Sequence, residues 1–315
     1  MKVLVSGASG AIGRQIVPRL VEAGHSVTGL TTTPAKKSML AELGAEPVVA
    51  DVLDAEAVGS IVAAAAPDAI IHEATALAGD FDIRHFDRTF AVTNRLRSEG
   101  TDNLLAAGRA AGISRFIAQS FGGWSNAPAG GGLATEEDPT LAAAQRTLMG
   151  ESIDAISHLE EAVGNLDWAD GIVLRYGGFY GPGTGMQVQP PGPQVDAIAN
   201  RKFPIIGSGS GVWSFIHVGD AADATVAALD HGAPGIYNIV DDDPAPVGEW
   251  LPKLAARIGA KPPRRIPRWL GRLAAGELAA VMMTDVQGFS NEKAKRELGW
   301  TPAHPSWRTT LAGAR

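Results

Sequence analysis

Short apolar runs rich in branched residues recur through the first half of the chain, at 2–6, 25–31, 46–50, 69–73, 115–120 and 171–176. Between them, at 11–23, 34–43, 55–65, 86–111 and 141–164, apolar positions return every three or four residues. The first pattern is that of buried strands and the second that of amphipathic helices. Their alternation predicts an α/β fold, a doubly wound parallel sheet, because parallel neighbours need a crossover that a helix supplies. Two stretches break the rhythm, 121–139 and 181–194. Both are rich in Gly and Pro and both follow a strand, so they are expected as loops at the carboxyl edge of the sheet, where this architecture binds ligands. After residue 240 Pro, Arg and Trp become dense, as in "EWLPKLAARIGAKPPRRIPRWLGRL", which predicts a smaller C-terminal lobe.

Composition narrows the function classes. A chain of 315 residues, 45% hydrophobic and 19% charged, is long enough for a full core. The net charge of −7, with lysines and arginines scattered, provides no basic field for a polyanion, and nucleic acid is not an expected partner. Without cysteine there is neither disulfide nor thiolate chemistry. The N-terminus is a short apolar strand running into glycines rather than an apolar span or a signal segment, so no membrane is expected and the cytoplasm is the expected compartment. The seven histidines and the acidic runs at 135–139 and 240–244 show no metal-ligand spacing, so no metal is expected.

The segment "VLVSGASGAIGRQIVPRL" sets Gly7, Gly10 and Gly13, with Ser9, Ala11 and Ile12 between them, at a strand–turn–helix junction. Glycines there allow a tight turn, close approach of backbone to a diphosphate, and close helix packing, with the helix N-terminus facing the anion. The GxxGxxG spacing resembles that of the short-chain dehydrogenase/reductase superfamily, and "VVADVLD", "AIIHEATAL", "VLRYGGFYGPG", "WSFIHVGDAADATVAAL" and "NEKAKRELGWTP" are similar to landmarks of its extended, epimerase/dehydratase-like branch. The resemblance runs nearly end to end. It implies a Rossmann fold, with a dinucleotide-binding unit over 1–180 and later contributions from about 211–240, and a substrate-binding lobe from 181–210 and 241–315. It also implies that Asp51 and Val52 lie beside the adenine, Ala74 and Thr75 along the cofactor, and Ser120 and Tyr176 near its nicotinamide end. A homodimer through helices 86–111 and 141–164 is a further implication. The second strand ends "GLTTTPAKKS", with no acid to bind a ribose 2′-hydroxyl. Thr31, Thr32 and Thr33, with Lys36, Lys37 and Arg14, suit a 2′-phosphate, which favours NADP(H) and leaves NAD(H) open.

One departure from the family is decisive for chemistry. Most members of the superfamily carry a tyrosine that moves the proton and a lysine four residues later, on one helix face. The corresponding stretch here, "ESIDAISHLEE" (151–161), has neither. No tyrosine precedes Tyr176, and no lysine lies between 38 and 201. Its apolar stripe is Met149, Ile153, Ile156, Leu159 and Val163, leaving Ser152, Ser157 and His158 off it. Arg97 stands where an asparagine is common, and Phe121 stands at the substrate-side serine. Trp213 replaces the arginine that grips a sugar nucleotide's diphosphate, and Gly178 replaces a polar contact. Without that clamp a nucleotide sugar is disfavoured, and Phe121, Trp124, Gly178, Phe179 and Trp213 outline a site for a more apolar molecule.

Candidate proton carriers are Tyr176, Tyr180 and Ser120; His158 and His217 have the right chemistry but are better read as an exposed and a structural histidine. Three functions remain. The first is an NADP(H)-dependent reductase of a small, relatively apolar carbonyl or enone compound. The second is a redox-neutral isomerase, dehydratase or cyclase on the same scaffold, and the third a non-catalytic NADP(H) sensor.

Overall fold

A computed structural model describes residues 1–77, 85–122, 132–138 and 143–311. Six strands fall where the apolar runs predict them: β1 (Lys2–Ser6), β2 (Ser26–Thr31), β3 (Glu46–Val49), β4 (Ala69–His72), β5 (Arg115–Phe121) and β6 (Asp170–Tyr176). Short strands follow: β7 (Gly178–Tyr180), β8 (Ile205–Ile206), β9 (Val212–Trp213), β10 (Phe215–His217), β11 (Gly235–Ile239), β12 (Ala245–Pro246) and β13 (Arg265–Ile266). The central sheet runs β11-β6-β5-β4-β1-β2-β3, with every pairing parallel. The strand order reverses between β1 and β4, so their carboxyl ends bracket the crevice in which such sheets bind ligands.

Helices cover both faces. The connections are α1 (Gly13–Glu22), α2 (Lys37–Glu42), α3 (Ala55–Ala65), α4 (Phe86–Arg95), α5 (Thr101–Ala111) and α6 (Ala143–Gly164). The helix expected over 86–111 is continuous in direction but contains a π-helical turn, Leu96–Gly100. The His72 ring hydrogen-bonds the Leu96 carbonyl at 3.1 Å, and a carbonyl drawn out of the helical ladder accompanies a widened turn. The helix over 34–43 is shortened because Pro34–Lys36 forms a 3₁₀ turn first, and α6 breaks at Met149 (φ −154°, ψ 40°). Phe121, placed with the following loop by the sequence, is the last residue of β5.

Beyond β6 the chain builds α7 (Pro193–Ala199), α8 (Val218–Asp230), α9 (Val247–Arg257), α10 (Arg268–Ala275), α11 (Glu277–Thr284), α12 (Glu292–Leu298) and α13 (Trp307–Thr310). One core lies between the sheet and α1 and α8, and includes Val5, Ile16, Ile172, Tyr176 and Tyr237. Another, with Leu4, Ile70, Phe116, Leu159 and Val173, fills the opposite face. Fully burying a side chain such as Phe116 contributes roughly 1.5–3 kcal/mol. A third core, around Tyr180, Phe215, Trp250 and Trp307, belongs to the C-terminal elements. The division is interleaved: β11 completes the central sheet, and Ala294, Leu298 and Trp300 return to the α1 side. Among the described residues no helix is long and apolar enough to cross a membrane.

Candidate active site

The turn after β1 is built for close approach. Gly7 has φ +79°, and a methyl group there would come within 2.6 Å of the Glu73 carbonyl at the end of β4. A methyl group on Gly13 would lie 2.6 Å from the backbone of Ala8. The Gly10 N–H donates to the Gly7 carbonyl at 2.9 Å, closing the turn just before α1 begins. Ala11 is half-buried and Ile12 is fixed in the core. This is a cradle that side chains would fill, with a helix N-terminus at its rim, and it fits a dinucleotide diphosphate.

At the end of β2, Thr31 is buried and its hydroxyl lies 2.9 Å from that of Ser9, while the Thr33 N–H donates to it at 3.2 Å. Thr32, Thr33, Lys36 and Lys37 are exposed beyond it. Arg14, expected beside them, instead lies against Gly183, its Nε donating to the Gly10 carbonyl at 3.3 Å. Val52 is buried, its carbonyl accepting from Asn103 at 2.9 Å. Asp51 is exposed and accepts from the Leu53 N–H at 3.0 Å. Ala74 is half-buried and Thr75 exposed after β4.

The three hydroxyls expected to move protons are all buried and all hydrogen-bonded within the protein. Tyr176 is 1% exposed, on the α1–α8 side of the sheet; its hydroxyl donates to Glu73 Oε1 at 3.0 Å and lies 2.6 Å from the Thr225 hydroxyl. Burial and the neighbouring Glu73 hold the phenol well above its usual pKa. Tyr180 is 0% exposed in the C-terminal core, its ring edge-on to His217, and burial raises its pKa as well. Ser120 is buried on the other face and donates to Glu160 Oε1 at 2.7 Å. Alternation along a strand explains the split, since Arg175 and Tyr176 must point to opposite faces.

On the Ser120 side, Arg175 grips Glu160 with two hydrogen bonds, 2.8 Å from Nε and 2.6 Å from Nη2. Arg97, on the π-helical turn, is 6% exposed, with its guanidinium 6.0 Å from the Phe90 ring centroid. Burial lowers its pKa to about 10 against the pull of Glu160, so it stays charged at neutral pH. His72 is pushed down to about 4 by burial and is neutral.

Phe121 and Trp213, both half-buried, pack against one buried apolar cluster of Phe86, Met149, Ile153, Leu278 and Val286, with Phe90 and Met282 beside them. The Trp213 indole N–H donates to the Met282 carbonyl at 2.8 Å, and its ring also packs on Trp250, at 5.1 Å between centroids, and on Phe203 and Phe215 of the C-terminal core. Phe179 packs against Tyr176, with ring centroids 5.2 Å apart, rather than joining that cluster, and Gly178 pairs with Phe215 in the β7–β10 ladder. Trp124 lies outside the described residues. In the stretch 151–161, Ser152 is buried, contrary to its place off the apolar stripe, because α4 packs over it: its hydroxyl donates to Asp87 at 2.8 Å and accepts from Asn94 at 2.9 Å. His158 is exposed and pairs with Asp102 at 2.8 Å.

Residues that the sequence reading passed over now stand out. Glu73 is buried, with Oε2 lacking a partner, and burial pushes its pKa up to about 8 despite the Tyr176 bond. The signal was an acid inside the apolar run "AIIHEA". Nothing local announced Glu160 as the partner of Ser120 and Arg175. His217, Asp220 and His304 also converge. The two imidazole rings stack face to face at 3.8 Å, and Asp220 accepts from the His304 backbone N–H at 2.7 Å with its other oxygen 3.0 Å from the His304 Nδ1.

Comparison with known proteins agrees with this geometry. Residues 3–240 match the family model "NAD dependent epimerase/dehydratase family". A 3-diazoavenalumate denitrifying reductase from Streptomyces sp is 41% identical over 311 residues, covering 99% of each chain. A 2-alkyl-3-oxoalkanoate reductase from Stenotrophomonas maltophilia is 27% identical over 276 residues, 82% of this chain and 76% of that one. The UDP-glucose 4-epimerase of Thermus thermophilus, in complex with NAD, superposes with a TM-score of 0.72 at 25% identity, covering 96% of this chain and 94% of that one. With its glycine cradle, parallel sheet and near full-length relatives, the chain belongs to the NAD-dependent epimerase/dehydratase family of extended short-chain dehydrogenases/reductases and is an NAD(P)-dependent oxidoreductase.

Proposed function

We propose that the protein is an NADP(H)-dependent reductase of a small, apolar aromatic molecule whose carbonyl, enone or diazo carbon accepts hydride, and that nucleotide sugars are not its substrates. The observation that carries this reading is the apolar cluster of Phe86, Phe90, Phe121, Met149, Ile153 and Trp213, which gathers two positions that the family resemblance assigns to the substrate, Phe121 and Trp213. Apolar and aromatic surroundings favour an aromatic ring and offer nothing to a diphosphate. Gly7, Gly10 and Gly13 hold the dinucleotide diphosphate, while Thr32, Thr33, Lys36 and Lys37 take the 2′-phosphate at an end of β2 that has no acid. When bound, the reduced dinucleotide supplies hydride.

The diazo form is favoured by the relative that acts as a denitrifying reductase on a diazo compound. In an aryl diazonium ion the incoming hydride and its electron pair form the new C–H bond, and dinitrogen leaves with the C–N pair. No proton has to be delivered. That balance suits a site without the tyrosine and lysine, whose Tyr176, Tyr180 and Ser120 hydroxyls are all engaged in the interior. The test is loss of reduced-nicotinamide absorbance with NADPH and NADH, in parallel, against aryl diazonium acids, aryl ketones, enones and UDP-glucose. Consumption of NADPH with the aromatic acceptors and none with UDP-glucose is expected; turnover of UDP-glucose alone overturns the reading. Thr32→Glu is expected to weaken NADPH binding roughly tenfold or more, through repulsion of the 2′-phosphate, while sparing NADH.

A further inference from the structure

Three charges meet on the α6 face at the carboxyl ends of β4, β5 and β6, and they do not balance. Arg97 and Arg175 are both buried, at 6% and 5% exposed, and Glu160 is the one carboxylate that acts on Arg97. Glu160 is already taken: Arg175 holds both its oxygens and Ser120 donates to one of them. His72 is uncharged and its two ring nitrogens are engaged by Ser6 and the Leu96 carbonyl. Among the described residues the Arg97 guanidinium makes no hydrogen bond or ion pair within 4 Å; it lies 6.0 Å from the centroid of the Phe90 ring, which packs against the Phe86–Met149–Ile153 cluster. A buried, unpaired guanidinium is costly in a finished interior, and it persists where an anion completes it. The turn that carries it is π-helical, a form that recurs at functional sites.

We infer that Arg97 holds the acceptor oxygen of the substrate and stabilises the negative charge that gathers there as hydride reaches the neighbouring carbon. The inference rests on the reductase reading above and gives the site the electrophile that the absent tyrosine would have provided. For a carbonyl, the hydride pair forms the C–H bond and the C=O π pair moves to oxygen. The guanidinium pairs with that alkoxide, which then takes a proton from a water molecule, leaving hydroxide. For a diazo-substituted phenol, the same contact holds the ring oxygen as phenolate. Arg97 has five N–H donors and does not give up a proton at neutral pH, so it stabilises charge without acting as the acid. This single cation beside the strand ends is distinct from a diphosphate clamp, whose expected position is filled by Trp213.

The test is binding, with the protein free of nucleotide, of 4-nitrophenolate and of its neutral isostere 4-nitroanisole to the unaltered chain, Arg97→Met and Arg97→Lys, followed by calorimetry. The unaltered chain is expected to prefer the phenolate by roughly tenfold or more. R97M loses the preference, R97K keeps part of it, and affinity for NADP+ is unchanged in both. R97M also unfolds at the same or a higher temperature, because it removes an uncompensated buried charge. Equal preference in R97M, binding of neither probe by the unaltered chain, or a parallel loss of NADP+ affinity that places the guanidinium on the cofactor would each overturn the inference. A steep fall in the R97M melting temperature, with R97K also lacking the preference, assigns Arg97 to the scaffold and overturns it too. Because these readouts need no turnover, a chain that discriminates phenolate yet reduces none of the acceptors keeps the anion site and loses the reductase reading. One that reduces them without the preference does the reverse.

Discussion

The two faces of the sheet each bury a carboxyl group at its carboxyl edge, and they treat it in opposite ways. On the α6 face Glu160 is locked by Arg175 and Ser120 with Arg97 close by, so the face carries charge. On the α1–α8 face Glu73 has only a phenol for company, and burial pushes its pKa up to about 8, so at neutral pH it is mostly an uncharged acid. The same residue type thus serves as an ion on one side and as a neutral polar group on the other, and the neighbours decide which. At the carboxyl edge of the sheet the charged cluster therefore lies on the α6 face, beside Phe90, while the Glu73–Tyr176–Thr225 group behind the glycine turn is neutral.

The contrast can be broken most sharply at Arg175. Arg175→Met leaves Glu160 buried without its bidentate partner and is expected to cost about 3–5 kcal/mol in denaturant unfolding; a loss under about 1 kcal/mol would mean that Arg97 takes over the pairing and that the charge on this face is readily rearranged. Next in size is a pH effect at Glu73. Its folded pKa, about 8, lies above the ordinary value of 4.5, so the folded state binds the extra proton between those limits. Its contribution to stability is therefore full below about 4.5 and is lost as pH rises through about 8. Glu73→Gln removes that slope, and the stability of the variant relative to the unaltered chain should rise by roughly 2–4 kcal/mol as pH is raised across the interval between the two values. Asp241, also pushed up to about 8 by burial, slopes the same way in both proteins and cancels in the difference. A flat difference would show that Glu73 is ionised and that the two faces are alike.

Tyr176→Phe removes the donor from Glu73 and the partner of Thr225 and should cost about 1–2 kcal/mol, with little change in NADPH binding if the phenol is structural. Loss of hydride transfer without loss of stability would restore Tyr176 as a proton carrier. The smallest effect is expected on the outside of the same α6 face. Asp102→Asn breaks the exposed pair with His158 and should change stability by under about 1 kcal/mol, a reference for what a charge contact contributes in water.

Much of the scaffold was legible because it is written in local pattern. Six strands, the glycine turn and the helix crossovers follow from apolar runs and Gly7, Gly10 and Gly13, and the strands settled within a residue or two of their expected bounds. What escaped depended on partners distant in sequence. The run "GIYNI" becomes the seventh strand only by pairing with Asp170–Tyr176, about sixty residues earlier. The π-helical turn lies in a segment of uniform helical pattern and accompanies a bond from the distant His72 to the Leu96 carbonyl. Tyr176 looked available because the sequence places it at a strand end; the face it takes, and the Glu73 that meets it there, are matters of register and packing. Phe121 and Trp213, read as substrate residues by resemblance, pack against one apolar cluster, whose other members Phe86, Phe90 and Met282 had no signal beyond being apolar.

The interleaving of sheet and lobe has a mechanical consequence. After β6 the chain enters the lobe, comes back through β10 to α8 and β11, departs again for α9 to α11, returns with α12 to pack Ala294 and Leu298 near the sheet, and leaves once more to bury Trp307 in the lobe. A swing of one half against the other concentrates on a few pivot residues when a single thread joins them. Here the halves are stitched by many threads, and a large rotation would have to bend all of them together. Sheet and lobe are therefore expected to move together, so that access between them depends on local side-chain rotations, as in a vise whose jaws are padded rather than hinged.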